Sequence, residues 1–416
     1  MSKGRTPWVK PRHRMVQNLL SRLLAPYIRW KYHIEITPFH DKQDRPVLIV
    51  MNHQTGFDQF FVALAFKRPI YYIASEDIFS LGWISRLITW LVAPIPIKKQ
   101  TSDLRAVRTA LQIAKEGGSV CLAPEGNRTF DGRLCYIKPA ILGLIRLLKL
   151  PVACFRIEGG FGVHPRWSDV VRKGTMKAYV SRIIEPEEYR RLSDEDLMGL
   201  LLAEINVDET QIEGEYHSPQ LAEYLERAIY VCPDCGLSEF ESHGDIIECK
   251  QCGLKVRYLP NKTLQNADGR AFPFRFLADW YQYQGDYIRR LDLTPYYDRP
   301  AYEDQGRLSE VILYDSKRVL AKDATLKLYG NRIEVVLPEG AGAVDFAREI
   351  GTVCWHFDDI VTVTVLGKNK INIYVGGKVY QVKADKRFNA LKYVNIFYHY
   401  KSISKGESSD GEFLGL

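Results

Sequence analysis

Two short polar clusters in this 416-residue chain hold residue types suited to acid–base and anion chemistry, and each follows an apolar run. The first is Asn52-His53-Gln54-Thr55-Gly56-Phe57-Asp58, directly after residues 47–51. If the turn there enters a helix, His53 and Asp58 meet across about one and a half turns. A carboxylate on one imidazole nitrogen fixes the tautomer and makes the other nitrogen a better base. Taken alone, the pair reads more readily as a surface histidine beside an unrelated aspartate, since both residues are common and the spacing is loose. The second cluster is Pro124-Glu125-Gly126-Asn127-Arg128-Thr129, after residues 119–123. Arg128 offers a planar fork for phosphate oxygens, and Gly126 lets backbone amides approach an anion closely. Its bland alternative is a turn carrying a surface salt bridge. Lys98 and Lys99, after the apolar residues 95–97, either add cations to the same pocket or are solvated.

A third cluster has metal chemistry. Cys232-Pro-Asp-Cys235-Gly and Cys249-Lys-Gln-Cys252-Gly are separated by thirteen residues. Two C-x2-C pairs at this spacing supply four thiolates for a tetrahedral ion, zinc first and iron as the weaker alternative. With no coordination position left open, such an ion is structural. The segment resembles a zinc ribbon over 231–258. The remaining cysteines, Cys121, Cys135, Cys154 and Cys354, stand singly, which does not suggest a disulfide framework.

The elements that must position these residues are strands alternating with helices. Residues 46–51, 70–74, 119–123, 151–157 and 176–184 read as strands; 102–116, with Ser102 as cap, 193–205 and 219–229 read as helices. In open α/β sheets ligands bind beyond the carboxyl ends of strands, where both polar clusters fall. Residues 15–30 carry apolar side chains at helical spacing beside basic ones, the pattern of a helix lying in a membrane interface. The apolar stretch 78–97 is interrupted by Arg86 and ends in alternating prolines, so it does not read as a membrane span. After a polar stretch near 261–269 comes an aromatic-rich helix over 272–291. Residues 308–400 alternate as strands broken by turns, Gly330-Asn331 among them, and close with a helix over 387–400. Lys368 and Lys370 sit in one such turn, either facing an anionic surface or solvated.

In order, NHQTGFD, a basic segment, PEGNRT about 65 residues after Asp58, and a proline-led strand at Pro151 resemble the glycerolipid acyltransferase family. Its best-known members are the 1-acyl-glycerol-3-phosphate (lysophosphatidate) acyltransferases. The resemblance covers roughly residues 15–215. It implies acyl transfer from a thioester, acyl-CoA or acyl carrier protein, to a lysophospholipid hydroxyl, giving phosphatidate. By it His53 is the general base and Asp58 its orienting partner, while Lys98, Lys99, Glu125, Gly126, Arg128 and Thr129 form the acceptor site. Asn127 and Lys138-Pro139-Ala140 depart from the family's usual residues, which touches acceptor choice more than chemistry.

Composition sets the outer bounds. Lysine and arginine number 57 against 50 acids, and 46% of residues are hydrophobic, enough to bury real cores. Residues 1–34 hold eight basic residues and no acid, whereas 185–227 hold thirteen acids and three arginines. The acidic flank of the cysteine pairs argues against nucleic acid as partner. No leader-like apolar run with a small-residue cleavage site opens the chain, so we expect the cytoplasmic face of a membrane, with peripheral or monotopic attachment. The expected fold is α/β, a glycerolipid-acyltransferase-like sheet with flanking helices, followed by a zinc ribbon and a small β-barrel-like domain closed by a helix. The expected divisions are 1–34, a basic amphipathic interface segment; 35–230, the acyltransferase domain; 231–258, the ribbon; and 259–305, a linker with the aromatic helix. Residues 306–401 then form a domain similar in pattern to pleckstrin-homology or GRAM domains, before a disordered tail at 402–416. A protein partner at the ribbon or the C-terminal domain is the further expectation. A membrane scaffold that keeps the fold without catalysis is the rival reading, and the intact His53/Asp58 pair argues against it.

Overall fold

The computed structural model describes residues 7–41, 43–97, 104–313, 315–338 and 351–405. Lys98, Lys99 and the expected helix cap Ser102 lie outside the described residues, as does 406–416 of the expected tail. The chain divides into two compact units, one of Met1–Pro165 with Val171–Tyr216, the other of Arg166–Val170 with His217–Leu416.

The first unit is built on seven strands: β1 (Ile34–Ile36), β2 (Leu48–Met51), β3 (Ile70–Ser75), β4 (Ile95–Ile97), β5 (Ser119–Leu122), β6 (Val152–Glu158) and β7 (Met176–Ile184). They lie in the order β1-β7-β6-β2-β5-β3-β4, and every neighbouring pair is parallel except β6 and β7. Residues Leu48, Ile49, Val50 and Met51 are all buried, as expected of a parallel strand covered on both faces. Alternation then divides the core. Leu48, Val50, Val120, Val152 and Cys154 pack in one cluster, Ile49, Met51, Cys121, Ala153 and Phe155 in the other.

The helices of this unit are α1 (Pro11–Tyr32), α2 (Asp58–Ala65), α3 (Trp83–Val92), α4 (Leu104–Lys115), α5 (Ala140–Leu148), α6 (Gly160–Val163), α7 (Pro186–Tyr189) and α8 (Asp194–Ile205). Ser193 caps α8, accepting the Asp196 amide at 3.0 Å. The wide apolar stripe of α1 separates into two rows. Ile28 is buried and Val16, Leu20 and Leu24 are half-buried, while Met15, Leu19, Leu23, Tyr27 and Trp30 are exposed. No helix among the described residues is long and apolar enough to cross a membrane.

In the second unit, β8 (Val231–Cys232) and β9 (Gly236–Leu237) form a small hairpin. The antiparallel strands β10 (Phe240–His243), β11 (Ile246–Cys249), β12 (Lys255–Tyr258) and β13 (Leu264–Asn266) follow. Helix α9 (Leu277–Arg289) fixes the hairpin, its Trp280 indole donating to the Val231 carbonyl at 2.9 Å. A seven-stranded antiparallel sheet contains β14 (Tyr302–Ile312), β15 (Ser316–Leu328), β16 (Arg332–Val336), β17 (Thr352–His356), β18 (Ile360–Leu366), β19 (Lys370–Val375) and β20 (Lys378–Ala384). Its order is β17-β16-β15-β14-β20-β19-β18, and α10 (Leu391–Lys405) packs on β18.

Three expectations change here. Residues 219–229 are no α-helix: only Leu225–Arg227 form a single 3-10 turn. Their donors have other partners, Ala222 N with the Gly244 carbonyl and Leu225 N with Ser242 Oγ, while Arg227 is buried in a two-pronged pair with Asp169. The strands β1 and β4 were not expected, being three residues each. Lys368 does not face outward as a free cation, since its ammonium pairs with Asp169 at 2.8 Å.

Candidate active site

The turn after β2 places the imidazole. Its Nδ1 lies 2.8 Å from Asp58 Oδ2, and the aspartate opens α2 with its side chain fully buried. Asp58 is held in place by three further donations: Gln54 N to Oδ2 at 2.7 Å, Thr55 N to Oδ1 at 2.9 Å, and Thr55 Oγ1 to Oδ1 at 2.7 Å. A buried carboxylate needs such donors, and its place at a helix N-terminus also favours negative charge. His53 remains about a quarter exposed, so the ring is reachable.

The second cluster closes over the first. Thr129 N donates to the His53 carbonyl at 3.2 Å. Glu125 is buried, its Oε1 accepting His53 N at 2.6 Å and its Oε2 accepting Cys135 N at 2.8 Å. Burial pushes the Glu125 pKa up to about 8 against the pull of those amides and the Cys135 thiol, with a small upward push from Asp58. Gly126, at φ 71°, forms the exposed tip of the turn, where a side chain would be strained. Thr129 is buried with its hydroxyl donating to Asp131 Oδ1 at 2.7 Å and accepting Gly132 N at 2.9 Å.

Arg128 crosses back to the first turn. A side-chain carbon placed on Gly56 would stand 3.5 Å from its Nη1. Burial lowers its pKa, opposed chiefly by the negative charge of Asp58. Tyr32, at the end of α1, is buried with its hydroxyl 3.3 Å from His164 Nδ1, and burial holds its pKa above the usual tyrosine range. The structure therefore brings His53, Asp58, Glu125, Gly126, Arg128 and Thr129 to one place, but turns Glu125 and Thr129 inward onto the protein.

Sequence reasoning missed two supports. Asn52 donates from Nδ2 to the Ile157 carbonyl at 2.9 Å and accepts Ile157 N at Oδ1 at 2.8 Å, imitating one more step of the β2–β6 pairing. Its amide at the end of an apolar strand was the available signal. Tyr32 gave none, because its neighbours are distant in sequence.

In the second unit, the Sγ atoms of Cys232, Cys235, Cys249 and Cys252 all lie within 4.8 Å of one another. Cys232 and Cys252 are 3.7 Å apart, close to the edge of about 3.8 Å that a tetrahedron with Zn–S of about 2.3 Å requires. Both knuckles turn at a glycine of positive φ, Gly236 and Gly253. The donor set fits a thiolate-bound ion.

Residues 33–158 match the family model described as Acyltransferase. The chloroplastic 1-acyl-sn-glycerol-3-phosphate acyltransferase of Brassica napus is 25% identical over 156 residues, which is 36% of this chain and 44% of that protein. The chloroplastic enzyme of the same name from Arabidopsis thaliana is 24% identical over 181 residues, 42% of this chain and 50% of its own. The chain thus spans about half the length of these curated relatives. Among solved structures, the 1-acyl-sn-glycerophosphate acyltransferase PlsC of Thermotoga maritima is 20% identical with a TM-score of 0.39, over 46% of this chain and 77% of that one.

Proposed function

We propose that this chain, whose residues 33–158 belong to the acyltransferase family, moves a fatty acyl group from a thioester to the free hydroxyl of 1-acyl-glycerol-3-phosphate at a membrane surface. The observation that carries the reading is the His53 Nδ1–Asp58 Oδ2 bond of 2.8 Å beside Arg128, at the carboxyl end of β2. Asp58 holds the ring with Nδ1 protonated, which leaves Nε2 as the base. Nε2 takes the proton of the acceptor hydroxyl while its oxygen attacks the thioester carbonyl carbon. The tetrahedral intermediate expels the thiolate of coenzyme A or acyl carrier protein, which recovers the proton from the imidazolium. Asp58 stabilises that cation, and no acyl-enzyme forms. Arg128 binds the acceptor phosphate, holding the hydroxyl within reach of His53.

The exposed row of α1 and the face of α3 supply the docking surface. Leu23, Trp30, Trp83 and Trp90 are all more than half exposed, and Arg12 lies 5.1 Å over the Trp90 ring. Apolar and aromatic side chains beside arginines suit an interface with anionic headgroups, in a monotopic attachment. Free thiols and a four-cysteine metal set suit a reducing compartment, hence the cytoplasmic leaflet. The cysteines would hold a structural zinc that ties the two knuckles together and takes no part in the transfer.

The test is acyl transfer by purified protein with oleoyl-CoA or oleoyl-acyl carrier protein and lysophosphatidate, beside His53→Ala. Phosphatidate should form and fall by about 10²–10⁴-fold in the variant, the usual worth of a positioned base. Near-normal turnover by His53→Ala would sink the assignment of the base. Product only with other lyso-lipids would keep the chemistry and change the acceptor, for which Asn127 is the sequence feature in view. Silence with every pair would favour the scaffold.

A further inference from the structure

The peptide of His53 is held on both sides by one turn. Its N–H goes to Glu125 Oε1 at 2.6 Å, and its carbonyl receives Thr129 N at 3.2 Å. The ring is held separately, by Asp58. The other oxygen of Glu125 takes Cys135 N at 2.8 Å, so one carboxylate ties together two segments lying 72 and 10 residues from it in sequence. The side chain is only 3% exposed, buried beneath its own donors.

Resting on the transferase reading above, we propose that Glu125 is a positioning residue, a buckle fixing the main chain of His53, and that it does not contact the acceptor. Both oxygens of Glu125 already accept peptide N–H groups below the surface, so neither is turned to the acceptor's phosphate. Those two N–H groups, with the Cys135 thiol, offset the cost of its burial. Placement is what a general base needs from its surroundings, because an error of about 1 Å costs on the order of 10² in rate. A glutamine here keeps one acceptor oxygen and turns an NH₂ toward the other peptide N–H, opening one side of the buckle with little change of shape.

The experiment is Glu125→Gln in the full chain, with two readouts. In kinetics, kcat should fall by about 10–10²-fold with the acceptor KM changed less than about twofold. Added to His53→Ala, the same change should cost nothing further, because both act through one base. In amide hydrogen exchange, read without reference to activity, the His53 and Cys135 amides should lose protection while strand amides of β2 and β5 keep theirs. A rise in acceptor KM of tenfold or more at unchanged kcat, with those two amides still protected, would overturn the proposal and make Glu125 a ligand. If the wild type transfers no acyl group to any acceptor, the transferase reading fails, and the exchange result alone decides the buckle. Should Glu125→Gln not fold, Glu125→Asp, which keeps the charge but is one methylene too short to reach both amides, takes its place with the same readouts.

Discussion

At the His53–Asp58 pair, burial and exposure divide the labour between two ionisable side chains. Asp58 is fully enclosed by four donors that fix its direction, whereas His53 keeps an accessible edge. Arg128 stands on the other side of the turn, against Gly56, in a desolvated setting that would strengthen a hydrogen bond to the phosphate of the proposed acceptor. A hydrogen bond to a charged group contributes about 1.5–3 kcal/mol, so Arg128→Ala should raise the acceptor KM by about 10–10²-fold with kcat within a few-fold. Steady-state kinetics with acceptor and donor varied in turn check this. An effect confined to the acyl donor would contradict the phosphate role.

Among the elements, the parallel strands set the geometry of the site, and α1 and α3 carry the exposed apolar side chains. β2 and β5 lie side by side, with Val50 paired to Leu122, so the two polar turns leave neighbouring strands at the same end and close on each other. That adjacency brings Glu125 and Thr129 onto His53. On α1, an i, i+4 spacing sends one apolar row into the core and leaves the next in the open. On α3, Trp83, Leu87 and Trp90 share the exposed side. Burying a large apolar side chain contributes about 1.5–3 kcal/mol, so replacing Trp30, Trp83 and Trp90 together by serine should weaken vesicle binding by at least about tenfold. Flotation with vesicles containing phosphatidate is the measurement. Activity toward lysophosphatidate presented below its micelle concentration should change far less, and equal loss in both assays would point to damage of the fold.

Taken as a whole, the chain divides into a mixed α/β unit and a second unit of antiparallel sheets with the helices α9 and α10. In the second unit the cysteine cluster stands at the ends of short strands, with Cys232 closing β8 and Cys249 closing β11. A structural zinc contributes about 10–16 kcal/mol of apparent binding free energy, so its loss should unfold the region around the knuckles. Elemental analysis should find one zinc per chain, falling toward none in Cys249→Ser. Hydrogen exchange should then show β8–β12 unprotected, while β2 and β5 of the first unit keep their protection. Full zinc retention by Cys249→Ser would remove that residue from the ligand set.

What the sequence by itself determined is everything that depends on neighbours in the chain. His53 and Asp58 meet within one turn, each C-x2-C pair spans a single turn, and the apolar runs 46–51, 119–123 and 151–157 become β2, β5 and β6, with ends moved by a residue or two. The match to the acyltransferase family over 33–158 agrees with motifs legible at that range. Only the tertiary structure decided what depends on partners far along the chain. Glu125, 72 residues from His53, faces that residue's peptide amide, and Asn52 reaches Ile157 across 105 residues. Residues 219–229 have a helical pattern, yet Ser242, Gly244 and Asp169 offer their donors better partners than a helix would. Local spacing fixes which groups a turn can bring together. Which of those groups stay open to a ligand is set by burial, and burial belongs to the packed molecule.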